Sequence, residues 1–415
     1  MEYKCDKFSY RPSATVIIAT KKKVDANANF EILLFERSTN TAFAPGHCVF
    51  PGGTFEEPSD ECQEWMDYFK EYGVSSNQLD RLIVKEPNTK RTNPLLSTGK
   101  IFSREISLRI TACRETFEEV GILFFRNHKT LKKLSSTPTF GEDFEDVNFD
   151  RVGWQFAVHK DAKQFLNLCR SLHVVPDLWS LYEWSLWRSP FTAEKRYDTV
   201  FYFVSSTKKP TLLLEHSEVK RAMWKTASEY LDLHKNQKIW LPPPQIYELS
   251  RLSKYSQLQN LTNHASYRSR QGKELLAPFY YKSSDAMIGV LPGDDLYPSE
   301  QNSPLRTLNY SSNQLKCMAN NLHRIVSFDM HETVIQKNIS SSNSQLDISD
   351  KYLNSSRAQN MRYISYLPDG ISQCDKISFF KSSKHALHQL PCAFAMDNMI
   401  RDSRIGSHFS FKRVP

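Results

Sequence analysis

The sequence predicts an α/β layered domain over residues 10–255, and three observations carry that prediction. Short β-branched and aromatic runs alternate with segments of helical period. One amphipathic helix ends on a glycine, and glycine- and proline-rich turns punctuate the strands. With 415 residues, 40% hydrophobic and 24% charged, the composition excludes collagen-like and wholly disordered classes. The length accommodates two to three domains, or one large domain with insertions and a tail.

In chain order, Ser13–Thr20 (SATVIIAT) and Phe30–Glu36 (FEILLFE) read as strands joined through Lys21-Lys22-Lys23, a solvated basic turn. After Pro45-Gly46, the run His47-Cys48-Val49-Phe50 is a strand that stops at Pro51-Gly52-Gly53, a turn suited to glycine backbone. Residues 55–72 read as helical. Gly73–Lys100 is polar, contains Pro87 and Pro94, and reads as an inserted loop, bounded as 70–102. From Ser103, the apolar residues Ile106, Ile110, Cys113, Phe117 and Val120 recur at steps of four and three, predicting a helix that Gly121 ends. Downstream, Ile122–Phe125, Thr199–Val204 and Thr211–Leu214 read as strands. Asp161–Leu172, Leu178–Trp187 and Thr226–Leu233 read as helices. Trp240-Leu241-Pro242-Pro243-Pro244 reads as an extended entry to a last helix, Gln245–Leu252. A C-terminal extension over 256–310 follows, then a tail over 311–415. Between Asn338 and Ser356 ten of nineteen residues are Ser or Asn, the composition of a disordered linker.

The net charge of +8 is spread along the chain; it suits a polyanionic small molecule better than DNA or RNA, which call for a clustered basic patch. Eight scattered cysteines without a C-x-x-C pair argue against zinc and against a disulfide framework. No run reaches the roughly 18 apolar residues of a membrane span. The acidic start, Met1 to Asp6, disfavours a transit peptide, and Arg413-Val414-Pro415 is not a peroxisomal tripeptide. The expectation is a reducing intracellular compartment, the cytosol by default.

Chemistry concentrates in Arg114-Glu115-Thr116-Phe117-Glu118-Glu119-Val120-Gly121-Ile122. At roughly 100° per residue, Glu115, Glu118 and Glu119 share one helix face, with the apolar residues opposite. Three crowded carboxylates repel one another unless a cation sits among them, and oxygen-preferring Mg²⁺ or Mn²⁺ is the natural candidate. The competing reading is a solvated acidic face, common to any E-x-x-E-E string. Arg114 can orient a ligating carboxylate. Glu218, in Glu215-His216-Ser217-Glu218-Val219, is a candidate additional ligand or base. Trp184 and Trp187, three apart, read as core residues on a helix, with adenine stacking as the alternative.

The string R-E-T-F-E-E-V-G-I resembles the second half of the Nudix box, G-x5-E-x7-R-E-U-x-E-E-x-G-U, with Gly53 as its first glycine. Three departures stand out. Arg114 follows Gly53 by 61 positions, so about 47 extra residues interrupt the box; Ser59 stands where its first glutamate belongs; and Thr116 occupies the first U. Glu56, Glu57 and Glu105 are the acids available to compensate. Leu33-Leu34-Phe35-Glu36-Arg37-Ser38, then Gly46 and Phe50-Pro51-Gly52-Gly53, resembles the signature L-L-T-x-R-[SA]-x3-R-x3-G-x3-F-P-G-G of coenzyme A diphosphatases. Phe35 replaces its Thr and Ala42 its second Arg. Together with R-Y-D-T-V-F-Y-F (196–203), I-W-L-P-P-P-Q-I-Y-E (239–248) and a weaker echo at 289–295, the chain resembles the long Nudix acyl-coenzyme A diphosphatases of the moiety X motif 19 type.

That resemblance implies a Nudix α/β/α sandwich with a mixed sheet, an insert within the box and an irregular C-terminal extension. It further implies Mg²⁺ or Mn²⁺ and hydrolysis of coenzyme A or acyl-CoA to 3′,5′-ADP and (acyl-)4′-phosphopantetheine. Metal would fall to Glu115, Glu118 and Glu119, catalysis to Glu118, Arg114 and Glu218, and substrate contacts to Arg37, Gly46, Phe50, Gly52 and Gly53. The family's mammalian members are associated with peroxisomes. The alternatives are a Nudix enzyme for another dinucleotide (NADH, a nucleotide sugar, an RNA cap) and a Nudix-fold binding module without catalysis.

Overall fold

The computed structural model describes residues 10–22, 28–39, 44–84, 99–127, 131, 149–206, 208–273, 275–299 and 305–339. Ala42, residues 85–98 of the inserted loop and the tail from 340 lie outside the described residues. Strands β1 (Arg11–Lys21), β2 (Phe30–Arg37), β3 (Cys48–Val49) and β4 (Gly52–Thr54) come first. Helices α1 (Glu57–Asp60), α2 (Gln63–Glu71) and α3 (Ser76–Asp80) fill part of the insertion, and the long α4 (Arg104–Val120) follows. Next come β5 (Phe125–Arg126), α5 (Arg151–Lys160), α6 (Gln164–Leu172), β6 (Val175–Pro176), β7 (Tyr182–Arg188), β8 (Tyr197–Ser206) and β9 (Val219–Lys225). Helices α7 (Ala227–Lys235), α8 (Pro243–Leu252) and α9 (Leu258–Ser269) complete this part.

The main sheet is mixed, in the order β10-β7-β8-β1-β2-β3, where β10 is Leu275–Leu276. Its spine is the parallel β1–β8 pair, ten residues long from Arg11↔Tyr197 to Thr20↔Ser206. Strand β4 pairs with the start of β1 and β2 with its end, while β9 joins β2 antiparallel. Because strand side chains alternate, β1 sends Ala14, Val16 and Ile18 into one apolar cluster and Ile17 and Ala19 into another. The first cluster is shared with Phe117 and Val120 of α4, the second with Tyr230 of α7 and Leu249 of α8. Helices thus cover both faces of the sheet, giving the expected α/β/α sandwich.

Five expectations change. The strand expected over Ile122–Phe125 keeps only its last residue, which opens β5. The segment 178–187 is a 3-10 turn (Leu178–Ser180) followed by strand β7, not a helix. A register shift between Glu183 and Ser185 inserts one residue, so Trp184 and Trp187 face the same side despite their odd spacing. Both indoles are buried, and both donate to Glu248 (Trp184 Nε1 to Oε2, 2.7 Å; Trp187 Nε1 to Oε1, 2.8 Å), so neither offers a face to adenine. Thr211–Leu214 is not a strand either. Leu213 N and Glu215 N donate to the carbonyls of Val120 and Glu119, so this segment satisfies the open C-terminal end of α4 instead of a sheet edge. The helix α5 had no counterpart among the predicted elements. Last, the extension is more regular than expected: β11 (Phe279–Lys282), β12 (Met287–Val290), β13 (Arg306–Thr307), β14 (His323–Ser327) and β15 (Thr333–Lys337) form a five-stranded sheet with helix α10 (Ser312–Cys317) against it. Tyr247 of α8 meets His323 Nε2 of β14 at 2.8 Å, tying this sheet to the sandwich. Among the described residues no helix is long and apolar enough to cross a membrane.

Candidate active site

The site is built on α4. Ser103 caps its start, and Gly121 at φ 69° ends it in the left-handed conformation that glycine adopts freely. The apolar face, Ile106, Ile110, Cys113, Phe117 and Val120, is buried as the periodicity predicts. Its acidic face is largely sheltered: Glu115 is 9% and Glu119 1% exposed, and the Glu118 side chain 14%. A solvated acidic helix is thereby excluded.

Arg114, itself 1% exposed, organises that face. It binds Asp60 through two parallel bonds, Nε to Oδ1 at 2.8 Å and Nη2 to Oδ2 at 2.9 Å, and donates to the Thr54 carbonyl. Its Nη1 then lies 3.0 Å from Glu115 Oε1 and 3.2 Å from Glu118 Oε2. Asp60 also accepts from Thr111 Oγ1 at 2.8 Å and from the Glu56 amide at 3.0 Å. None of the three compensating acids takes this place: Asp60, one residue beyond Ser59, does. Glu105 instead accepts from the Val84 amide.

On the other side, Glu119 Oε2 accepts from the Gly52 amide at 2.8 Å, and its Oε1 lies 3.6 Å from Arg37 Nη1. Arg37 ends β2 at a register shift in the β2–β9 pairing and stands opposite Val219. Glu218 is carried there too, because the Ser38 amide donates to its carbonyl, and its charge acts on Glu115, Glu118 and Glu119 alike. Gly53 lies directly under Glu115, where a built Cβ would come 2.4 Å from its carboxyl carbon. Gly53→Ala is therefore expected to displace Glu115 and cut turnover at least tenfold, with a smaller effect on the melting temperature; steady-state kinetics beside a thermal melt checks this.

One predicted substrate residue stands elsewhere. Phe50 is 2% exposed, in the cluster on the opposite sheet face, edge-on to Phe201 at 6.2 Å; it is a core residue, because alternation from the glycine turn points it inward. Gly46, at φ 73°, makes the turn that returns its amide to the Arg37 carbonyl. His216 is exposed on the loop before β9. Sequence reasoning also missed His159, in the last turn of α5, whose Nδ1 lies 3.1 Å from Glu118 Oε1. One donor atom each from Glu118, His159 and Glu218 falls within 4.8 Å of the others.

Five carboxylates (Asp60, Glu115, Glu118, Glu119, Glu218) thus gather around the guanidinium groups of Arg114 and Arg37. Burial, with neighbouring acids adding to it against Arg114, lifts Glu115 to about 8 and Glu118 to about 7; burial and Glu115 likewise push Glu119 up. This surplus of oxygen donors fits a hard divalent cation.

The shifts have a consequence for stability. Glu115 and Glu118 bind protons more tightly folded than unfolded, so their contribution weakens as pH rises from about 4.5 to 8. Burial holds His264 and His323 down at about 4, so below about 6.5 the unfolded chain takes up protons that the fold refuses. Between about pH 4.5 and 6.5 the two effects oppose each other and above about 6.5 the carboxyl effect alone remains, so metal-free protein is expected to melt several degrees lower at pH 8.5 than at pH 6.5; scanning calorimetry checks this alkaline limb. A divalent ion bound to the cluster should flatten it.

The chain is similar to known proteins. Residues 10–252 match the NUDT19 Nudix domain and residues 280–338 the NUDT19 C-terminal domain. Proteins named acyl-coenzyme A diphosphatase NUDT19 are similar over most of the chain. The Xenopus laevis protein is 33% identical over 284 residues (66% of this chain, 73% of that one), and the Gallus gallus protein 34% over 283 residues (66% and 74%). The human protein is 29% identical over 323 residues (74% and 85%). With the interrupted box folded into one buried acidic centre and a Nudix domain matched over more than half its length, the chain belongs to the NUDT19 family of Nudix hydrolases.

Proposed function

We propose that the chain hydrolyses the diphosphate linkage of coenzyme A or its acyl thioesters, with Mg²⁺ or Mn²⁺, releasing 3′,5′-ADP and (acyl-)4′-phosphopantetheine. One observation carries the reading: Arg37 and Gly52, from the coenzyme A-type signature, both touch Glu119 of the acidic helix, so the substrate signature and the hydrolytic acids form one site. The names of the similar proteins support the same substrate class.

Glu115, Glu118 and Glu119 would hold the ion, with Glu218 at their edge; a bound divalent cation neutralises diphosphate oxygens and lowers the pKa of an attacking water. The chain supplies position and charge. Arg114, anchored by Asp60, fixes the rotamers of Glu115 and Glu118. Arg37 presents its guanidinium toward the anionic substrate while restraining Glu119. The glycine pair lets backbone approach the phosphates. Water adds to one phosphorus, its proton passes to a carboxylate, and the bridging P–O bond breaks, leaving one phosphate monoester on each product in place of the diphosphate.

Product analysis of the full chain tests the reading. Coenzyme A and a medium-chain acyl-CoA are supplied with each metal, with Glu119→Gln as control. The expected outcome is metal-dependent 3′,5′-ADP that disappears in the control. Turnover of NADH or a nucleotide sugar but of neither CoA species would overturn the substrate class, and tight binding of CoA without any turnover would overturn the catalytic reading.

A further inference from the structure

We infer that His159 is a nitrogen ligand of the metal site and biases it toward Mn²⁺ over Mg²⁺. The inference rests on the metal-dependent reading above and adds to it a donor that the helix acids do not provide.

The position of His159 is constrained by a chain of contacts. Asp150 caps α5, its Oδ1 accepting from the Gly153 amide at 2.8 Å, and Gly153 leaves room for that cap, since a Cβ there would come 2.2 Å from Asp150 Oδ2. Arg151 donates to the Gly121 carbonyl through Nε (2.9 Å) and Nη2 (2.6 Å), binding the start of α5 to the end of α4. Gln155, 5% exposed, sends Nε2 to the carbonyls of Phe117 (3.3 Å), Glu118 (2.9 Å) and Leu213 (2.7 Å). His159 stands four residues beyond Gln155 and so on the same face of α5, one turn further along. Gln155 grips the backbone of Glu118 while His159 meets its side chain at 3.1 Å. Both groups are largely sheltered, at 19% and 14% exposure.

Chemistry then decides what such a residue does. One donor atom from each of Glu118, His159 and Glu218 lies within 4.8 Å of the others, a separation that one ion can bridge. Mg²⁺ favours all-oxygen surroundings and keeps its water, whereas Mn²⁺, although also suited by carboxylates, opens the first-row series along which affinity for nitrogen-containing sites rises. An imidazole joined to carboxylates therefore makes a mixed N/O donor set whose selectivity differs from that of Glu115, Glu118 and Glu119 alone.

The test uses metal-free full chain titrated separately with Mn²⁺ and Mg²⁺, with thermal shift for affinity and electron spin-echo modulation for the coordination of Mn²⁺. The expected result is directly bound nitrogen on Mn²⁺ that vanishes in His159→Gln. Apparent Mn²⁺ affinity should fall about tenfold in that variant, with Mg²⁺ affinity changing less than about twofold. His159→Asp, which restores an oxygen donor, is expected to keep the ion but lose the nitrogen signal, and it serves if the glutamine variant fails to fold. Mn²⁺ bound without nitrogen, or equal weakening of both ions as from a residue that only orients Glu118, would overturn the inference and leave the metal-dependent reading standing. Absence of any ion binding would overturn both.

Discussion

Asp60→Ala is expected to destabilise the protein by about 3–5 kcal/mol, the cost of leaving a buried charge without its partner. Arg114 is 1% exposed and Asp60 fully buried, and their two parallel bonds are accompanied by a third donor, Thr111, and a fourth, the Glu56 amide. Truncation removes all four at once. Arg114 is then left with Glu115 and Glu118, and its pull on them changes their geometry as well. Asp60→Asn keeps the shape and can still accept from Thr111, so its cost should be smaller, about 1–3 kcal/mol. Urea unfolding separates the two: the midpoint should fall in the order wild type, Asn, Ala, and turnover should drop in both variants. An Asp60→Ala midpoint within experimental error of wild type would show that Arg114 finds another partner and that Asp60 is not the anchor.

This residue also marks where sequence reading stops. The acidic face of α4, its apolar face and its glycine stop follow from helical period and local chemistry, and so do β1, β2 and β8, whose alternating runs are buried on both sides. Asp60 escaped because the box motif places its acid at Ser59, and α1 is a four-residue helix whose exit depends on packing against α4. His159 escaped for a different reason. In α5 the apolar residues Val152 and Phe156 are exposed, at 64% and 61%, while polar Gln155 is buried, the reverse of an amphipathic signature. Trp184 and Trp187 imitate helical spacing because one extra residue sits between β7 and β8. The second sheet was hidden by charge in its core: in β14 the buried Arg324 is balanced by Asp294, with bonds of 2.7 and 2.6 Å, and that pairing spans 30 residues of sequence. In each case the deciding partner lies far along the chain or belongs to another layer, and local periodicity carries no record of it.

Glu119→Gln should lower turnover by about 10³-fold while leaving the metal-free protein as stable as wild type or more so. The two halves of that result come from one arrangement. Glu119 is buried and crowded by Glu115, so its charged form is held at a cost, and burial with that neighbour pushes its carboxyl up. Glutamine has nearly the same shape and can still accept the Gly52 amide through its oxygen, so the backbone turn survives. What disappears is one negative charge, hence the electrostatic strain of the empty cluster and, with it, part of the affinity for a cation. Arg37, whose side chain is 15% exposed, loses a carboxylate neighbour 3.6 Å away, and because water reaches the guanidinium this adds little to the stability change. Kinetics with Mn²⁺ and thermal melts in chelator decide the matter together. Lost turnover with an unchanged or raised melting temperature places Glu119 in the chemistry. Lost turnover with a large fall in melting temperature would instead make it a structural anchor of the Gly52 turn, and retained turnover would remove it from the metal site altogether.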